Sequence, residues 1–258
     1  MDTRVETNRS ATALRALKVL EVLGEANGPQ SVVNVAEALG ADRSTAYRML
    51  MTLMDAGYVA RDARTGGYRL GYKVLTLGRS LLARDERNEL ILSCLHEISA
   101  ETQETAHYSV LDRDAAVLVL RAKGTQLVTV DFQIGDRAPL HCSSIGKALL
   151  AYQDARLVEE VIAAGLPQMG PNTITDPARL RAELESVRIA GYAYDELEFA
   201  PDMRCVAVPV FEEGGVVRGG ISLSGPASRY TPGKLKQLKD DVVAASRRLS
   251  RQLGATAE

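Results

Sequence analysis

Apolar residues recur at helical spacing through the first hundred positions, and the pattern changes to short alternating runs from Glu104 onward. Ser10 to Ala26 reads as a helix with Leu14, Leu17, Leu20 and Leu23 on its buried face, and Asn27-Gly28-Pro29 breaks it. Ser31 then caps a short helix carrying Val32, Val35, Ala36 and Leu39, which Gly40 closes. Asp42 caps a third helix, in which Ala46, Met49, Leu50, Leu53 and Met54 recur, and Gly57 stops it. Tyr58 to Arg61 and Tyr68 to Leu70 are strand-like, with a turn over 62–67 between them. Two short helices joined through a glycine turn and followed by a hairpin make a winged helix-turn-helix. Residues 1–9, mostly polar, read as a disordered arm.

Gly71 to Arg87 continues as an amphipathic helix through Val74, Leu75, Leu77, Leu81 and Leu82, weakened by Gly78. Asn88 is placed to cap a further helix with Leu90, Ile91, Leu95 and Ile98 as its apolar side. Such a connection serves equally to transmit a rotation or as a plain tether. Beyond it, 107–111, 116–121 and 126–132 are β-branched runs bounded by Asp/Gly turns and read as strands. A polar loop, Pro139 to Lys147, runs directly into a helix that continues through Ala148 to Ala151. Helices follow over 154–164 and 177–190, the second opened by Asp176 and Pro177, then strands over 192–196, 205–211 and 216–224. Thr231-Pro232 starts a last helix with Leu235, Leu238, Val242, Ala245 and Leu249 inside, and residues 254–258 fray. The chain is therefore read as two domains: an α-rich winged helix-turn-helix over 10–70, a linker helix over 71–87 and an α+β domain over 88–253.

Chemistry follows from this placement. The first turns of the third helix carry Arg43, Ser44, Thr45, Tyr47 and Arg48, the residue types that read base edges from a helix in the major groove. Arg61 and Arg64 in the wing are placed to reach phosphate or the minor groove. A helix pair with a polar face fits the two helices alone; the wing decides for double-stranded DNA. The net charge of −2 neither supports nor excludes it, since residues 1–70 carry 9 basic and 8 acidic side chains. The local arginines carry the case, and a dimer doubles their number. No run approaches the ~20 apolar residues of a membrane span. Cys94, Cys142 and Cys205 are odd in number and widely spaced, which argues against a disulfide framework or structural zinc and fits a reducing cytoplasm.

The hairpin 205–224 yields to a parity argument. An even-length loop within Glu212 to Gly215 gives paired positions with odd sums, whether Cys205 faces Ser224 or Ser222. Either way Cys205, Ser222 and Ser224 share one face and Val206, Val208, Val210, Ile221 and Leu223 the other; a bulge or an odd loop overturns this. The polar face suits a small binding site or a solvent-facing sheet surface equally. The Ser143–Gly146 loop that opens this helix adds unpaired N–H groups near Ser144 and Ile145, suited to a carboxylate or phosphate.

The segments RSTAYRMLMTLMDAGYV, RLGYKVLTLG, PLHCSSIGKALLA, GYAYDELEFAPDMRCVAVPV and GGISLSGPASR jointly resemble the IclR family of bacterial transcriptional regulators, over about residues 11 to 253. The resemblance implies a GAF-like effector domain, no cofactor, a cytoplasmic location and homodimers or homotetramers on palindromic operators. It also implies a small-molecule effector, a carboxylate, held by the amides of Ser144 and Ile145 and by Asp195, Cys205, Ser222 and Ser224, with Leu127, Val130 and Met203 as an apolar wall. An anion beside Asp195 requires that carboxyl to be protonated, paired or bonded to a ligand hydroxyl. Two other readings are weighed against this one. In the first, a constitutive DNA-binding protein uses its C-terminal domain only to oligomerise. In the second, an enzyme uses Cys142 or Cys205 as nucleophile with His141 or His107 as base. The same His and Cys residues as a metal site are set below their reading as packed core residues, so no metal is expected.

Overall fold

The computed structural model describes residues 10–81 and 86–255. The expected arm over 1–9 and the last three residues of the expected fray lie outside them. The chain divides between Ala83 and Arg84 into two compact units, each described by itself.

The first unit opens with α1 (Ala11–Glu25), α2 (Val32–Leu39) and α3 (Arg43–Asp55). Each has a side-chain cap: the Ala13, Asn34 and Thr45 N–H groups donate to Ser10, Ser31 and Asp42. Gly40 closes α2 at φ 59° and ψ 35°, where a Cβ is strained, so the sharp turn into α3 needs this glycine. The wing is β1 (Val59–Arg61) paired antiparallel with β2 (Tyr68–Leu70). Gln30 and Tyr68 exchange two backbone hydrogen bonds of 2.7 Å, which tie the start of the second helix to the wing. Val19, Leu23, Val35, Ala36, Ala46, Leu50, Val59 and Tyr68 form the core.

Two expectations change here. Leu14 and Leu17 are each 56% exposed; α1 buries Val19 and, as expected, Leu23, with Leu20 packed partly against the core. The helix carries two apolar stripes, and α2, α3 and the wing cover one of them. Of the stretch expected as one helix over 71–87, the described residues hold α4 (Lys73–Leu81), with Leu75 and Leu81 exposed, and the start of α5 (Glu86–Thr102), while the expected Leu82 lies outside the described residues; Asn88 sits inside α5 rather than at its cap.

The second unit is built on β3 (Ala106–Asp112), β4 (Ala115–Ala122), β5 (Arg137–Pro139), β6 (Ala193–Glu196), β7 (Met203–Phe211) and β8 (Val217–Pro226). They form one antiparallel sheet in the order β5-β4-β3-β8-β7-β6. Period-two alternation decides what each face meets. Val206, Val208, Val210, Ile221 and Leu223 join α5 and α9 (Pro232–Gln252) in one core. The other face is covered by α6 (Ser144–Leu150), α7 (Ala155–Ala164) and α8 (Pro177–Ala190), with Leu149, Leu180, Leu184 and Ala207 inside.

The hairpin register bears out the parity argument by an unexpected route. Cys205 pairs with Ser224 and Ala207 with Ser222. Nearer the turn Glu212 N–H bonds Val216 O, an odd loop, and an irregularity between Val210 and Phe211 restores the odd-sum register. The run 126–132, by contrast, is a loop and not a strand. The edge of β4 it needed is taken by Arg137–Pro139 and by the turn before it, where Gly135 N–H donates to Leu118 O and Leu118 N–H donates to Asp136 O. Arg121 holds the loop at Asp131 and Phe132, and Arg229 holds it at the Val128 carbonyl, 2.9 Å away.

Gly146 lets α6 lie against the chain that leads into it. A Cβ there would stand 2.3 Å from Pro139 O and 2.6 Å from Leu140 Cα, both backbone atoms that cannot swing aside. Gly146→Ala is therefore expected to cost roughly 1–3 kcal/mol, seen as a lower urea midpoint for the second unit. Gly233→Ala, where nothing lies within 4 Å, is the control and should leave that midpoint unchanged.

Candidate functional sites

On the first unit, Arg43, Ser44, Tyr47 and Arg48 all stand exposed at the start of α3. Thr45 is half-buried and its hydroxyl donates to Asp42 at 2.8 Å while its N–H donates to the same carboxylate at 2.9 Å. Its donor is thus spent on the cap, and those bonds hold the Asp42 carboxyl below its ordinary pKa. In the wing, Asp62 organises the turn by accepting from the N–H groups of Arg64 and Thr65 and from the Thr65 hydroxyl. Arg61 donates to Gly66 O at 3.1 Å, so its stem is fixed, whereas Arg64 stands exposed at the tip. α3 and the wing thus present arginines from two separate elements of one small unit.

In the second unit the sheet and α6 enclose a cavity of about 270 Å³. Seven of the nine residues expected at an effector site line it: Ser144, Ile145, Asp195, Met203, Cys205, Ser222 and Ser224. Leu127 and Val130 do not; Leu127 is 102% exposed, because the segment that was to present them as a strand is a surface loop. Phe132, from the end of the same loop, supplies the wall in their place, with Phe199, Leu118, Ala116 and Ala138. His107, Ser109 and Arg137 also line it. The alternation Ala106-His107-Tyr108-Ser109 put His107 and Ser109 on one face of a strand, but only the pairing of His107 with Ser222 says which face. Phe132 and Phe199 sit on loops and carry no periodic signal.

Asp195 is fully buried. Its Oδ1 accepts from the N–H groups of Glu198 (2.8 Å) and Phe199 (3.3 Å), which folds the chain after β6 back over the cavity. Its Oδ2 accepts no hydrogen bond of good geometry, with the Cys205 thiol beside the carboxyl. Burial raises its pKa from 3.8 to about 6, against those two N–H donors. Glu198 in turn meets Lys147 of α6 at 2.5 Å, and Lys147 also meets Glu183 of α8 at 2.9 Å. The buried Lys147 thus ties α6, α8 and the 195–199 turn together.

His107 is 2% exposed, its ring nitrogens make no hydrogen bond of good geometry though the Ser222 backbone lies beside the ring, and burial pushes its pKa down to about 4. The ring is neutral at pH 7. Ser143 caps α6 by accepting from Gly146 N–H, and the N–H groups of Ser144 and Ile145 have no partner among the described residues. At the rim, Arg137 is shared by Asp112 (2.8 Å) and Asp114 (3.0 Å), which offset its charge.

The thiols are poorly placed for nucleophilic work. Burial pushes Cys142 up to about 12 and Cys205 well above its ordinary value, so both stay protonated at pH 7. His141 is committed to the Pro167 carbonyl at 3.0 Å. Among the described residues no three His, Cys, Asp or Glu side chains converge to hold a metal ion, and no helix is long and apolar enough to cross a membrane.

A winged helix-turn-helix followed by a separate α+β unit is the arrangement of a class of DNA-binding transcriptional regulators. Comparison with known proteins narrows this. Residues 12–63 match the IclR helix-turn-helix domain and residues 77–251 the bacterial transcriptional regulator IclR C-terminal domain. The HTH-type transcriptional regulator BhcR of Paracoccus denitrificans is 33% identical over 240 residues, 92% of this chain and 85% of that one. The crystal structure of the Thermotoga maritima IclR is similar at 30% identity and a TM-score of 0.76, covering 95% of this chain and 99% of that one. An IclR homologue from Microbacterium hydrocarbonoxydans, crystallised with 4-hydroxybenzoate, shares the fold at 24% identity and a TM-score of 0.80, over 95% and 100% of the two chains. The chain belongs to the IclR family of bacterial transcriptional regulators, and its N-terminal unit is the family's DNA-binding helix-turn-helix.

The raised pKa of Asp195 has a consequence for stability. The folded state holds the proton more tightly than the unfolded chain between pH 3.8 and about 6, so the cost of the buried charge grows over that window and is complete by pH 7. Asp195→Asn keeps the Oδ1 acceptor and removes the charge. It is expected to stabilise the second unit at pH 7.5, by up to about 3 kcal/mol at ~1.4 kcal/mol per pKa unit, and by much less at pH 4.5. Denaturant titrations at the two pH values measure this; an equal change at both counts against it. His107 titrates in the opposite sense, losing stability as pH falls below 6.5, and is common to both proteins.

Proposed function

We propose that this regulator binds a palindromic operator as a homodimer or a dimer of dimers in the cytoplasm, and that a small organic acid in the second unit's cavity sets its operator affinity. The observation that carries the effector reading is the cavity itself: it is lined by buried Asp195 and His107, whose Oδ2 and ring nitrogens make no hydrogen bond of good geometry and have only the Cys205 thiol and the Ser222 backbone beside them. Leaving such groups unpaired costs stability, so a ligand that satisfies them gains affinity from the same atoms. The acid group is assigned to the free N–H groups of Ser144 and Ile145 and the hydroxyls of Ser222 and Ser224. Asp195 takes a ligand hydroxyl or shares a proton with the acid. Phe132, Phe199, Met203 and Ile145 supply apolar wall, and a relative of the same fold holding 4-hydroxybenzoate supports a small acid in such a unit.

Operator contacts are assigned to Arg43, Ser44, Tyr47 and Arg48 on α3 and to Arg61 and Arg64 in the wing, with Thr45 contributing through the cap. Exposed Leu14 and Leu17 on α1 give an assembly of two copies an apolar surface to cover. An effector that binds one arrangement of the assembly better than another shifts the population between them, and operator affinity with it. A constitutive binder that uses its second unit only to assemble has no need of unpaired polar groups facing a cavity, and protonated, buried thiols give the enzyme reading no nucleophile.

Two measurements test this. Arg48→Ala is expected to weaken operator binding by about 1–3 kcal/mol if the arginine reads a base; an unchanged dissociation constant in a salt-controlled titration removes it from the interface. A thermal-shift panel of small acids on the whole protein should yield a hit whose stabilisation grows as RT ln(1 + [L]/Kd), about 2.7 kcal/mol at a hundredfold excess over Kd. Asp195→Asn combined with Ser222→Ala should remove that shift and the response of DNA binding to it while leaving ligand-free DNA binding intact. Full DNA binding with no shift from any acid favours the constitutive reading.

A further inference from the structure

One buried cluster beside the cavity holds more negative charge than its partners offset. Asp195 on β6, Glu198 in the turn that follows and Glu183 on α8 face a single cation, Lys147 of α6. Three carboxylates against one ammonium leave two negative charges in excess, and Asp195, Glu198 and Lys147 are all buried. Their other neighbours bring no compensation. Burial keeps Cys205 on β7 and Cys142 before α6 protonated, and His107, which lines the cavity from β3, is neutral at pH 7. The 170–173 segment bonds the Glu198 carbonyl through Gly170 and Thr173 and has no titratable side chain.

The bonding pattern shows where a proton is accommodated. Asp195 Oδ1 accepts from two N–H groups and Glu198 Oε1 accepts from Lys147. Asp195 Oδ2 and Glu198 Oε2 accept no hydrogen bond of good geometry. A proton on either of these oxygens breaks none of those bonds and removes a buried charge. Burial raises both carboxyls accordingly, Glu198 to about 7. The turn between them is strained: Leu197 sits at φ 66°, a left-handed backbone that a leucine adopts only at a cost. Asp195 and Glu198 bracket it, the first through the Glu198 and Phe199 N–H groups and the second through Lys147. Phe199, at the end of the turn, lines the cavity.

We propose that this cluster is a proton-operated latch on the cavity, with Glu198 as its positioning residue. With a proton on the Asp195–Glu198 pair, the 195–199 turn stays shut and holds Phe199 against the cavity. With both carboxyls ionised, the excess charge and the strain at Leu197 favour an open turn. The shut state holds the proton more tightly, so opening grows as pH rises from the ordinary carboxylate range to about 7 and levels off above it. The consequence for regulation rests on the effector reading above. An acid anion entering beside Asp195 adds a further negative charge, so it binds with uptake of the latch's proton and more tightly at lower pH.

Hydrogen exchange in the full-length, ligand-free protein tests the latch. Mass spectrometry gives protection factors for peptides covering 193–203 and, in α9, 235–249. Protection in the turn should lie well below that of α9 and should fall about tenfold from pH 6 to pH 7.5. Glu198→Gln keeps an acceptor for Lys147 and cannot ionise; there the fall should shrink to about twofold, the part that Asp195 carries. Glu183→Gln, at the partly exposed side of the cluster, leaves Lys147 to Glu198 alone and should move the transition to lower pH. Protection in the turn that is independent of pH overturns the latch. Protection equal to that of α9 at every pH means that the turn opens only when the unit unfolds, and overturns it too. A fall that persists unchanged in Glu198→Gln overturns the role of Glu198, and an unmoved transition in Glu183→Gln removes Glu183 from the cluster. No ligand enters these measurements, so their failure leaves the effector reading standing, and failure of the acid panel leaves the latch standing.

Discussion

The antiparallel pairing of β3, β8, β7 and β6 is the constraint on which the second unit depends. Once Cys205 is paired with Ser224 and His107 with Ser222, alternation sends Val206, Val208, Ile221 and Leu223 to α5 and α9. The same alternation sends His107, Ser222, Ser224 and Cys205 to the cavity. One register thus sorts the core from the site. A one-residue slip would exchange them, burying hydroxyls among leucines and opening valines to the cavity. The irregularity near Phe211 offsets the odd loop at the hairpin tip, so the register holds where the site needs it.

A second constraint is electrostatic. Lys147 is 1% exposed and is held by Glu183 and Glu198, and the backbone of that same Glu198 donates to Asp195. Such clusters stabilise a fold weakly, since desolvation offsets most of the attraction, but removing one member leaves a buried charge unpaired. Here the cluster joins α6, whose first amides face the cavity, to the turn that carries Phe199. A charge or hydrogen bond placed at Asp195 by a ligand acts directly on that junction.

The first unit relies on local bonds. Its first three helices total 36 residues, and each begins with a side-chain cap. Asp42 is central because it starts α3 and, through Thr45, fixes the turn from which Arg43 and Arg48 project. Asp62 does the same for the wing.

Local chemistry was legible in the residues alone. Ser31, Gly40, Asp42, Gly57, Asp176, Thr231 and the turn glycines mark where the chain starts and stops an element, because caps and positive φ act over three or four residues. Period-two alternation named one face for Cys205, Ser222 and Ser224, and motif resemblance added Ser144, Ile145, Asp195 and Met203. What stayed out of reach depends on contacts distant in the chain. The run 126–132 has strand composition, but Arg137–Pro139 occupies its edge and Arg121 and Arg229 hold it as a loop. That arrangement puts Leu127 in solvent and Phe132 at the cavity. Leu14 and Leu17 satisfy a helical stripe as well as Val19 and Leu23 do; which stripe is buried was decided by where α2, α3 and the wing lie. His107 became part of the site through a pairing 115 positions away, with Ser222. Spacing specifies which residues share a face, and only tertiary packing specifies what that face meets.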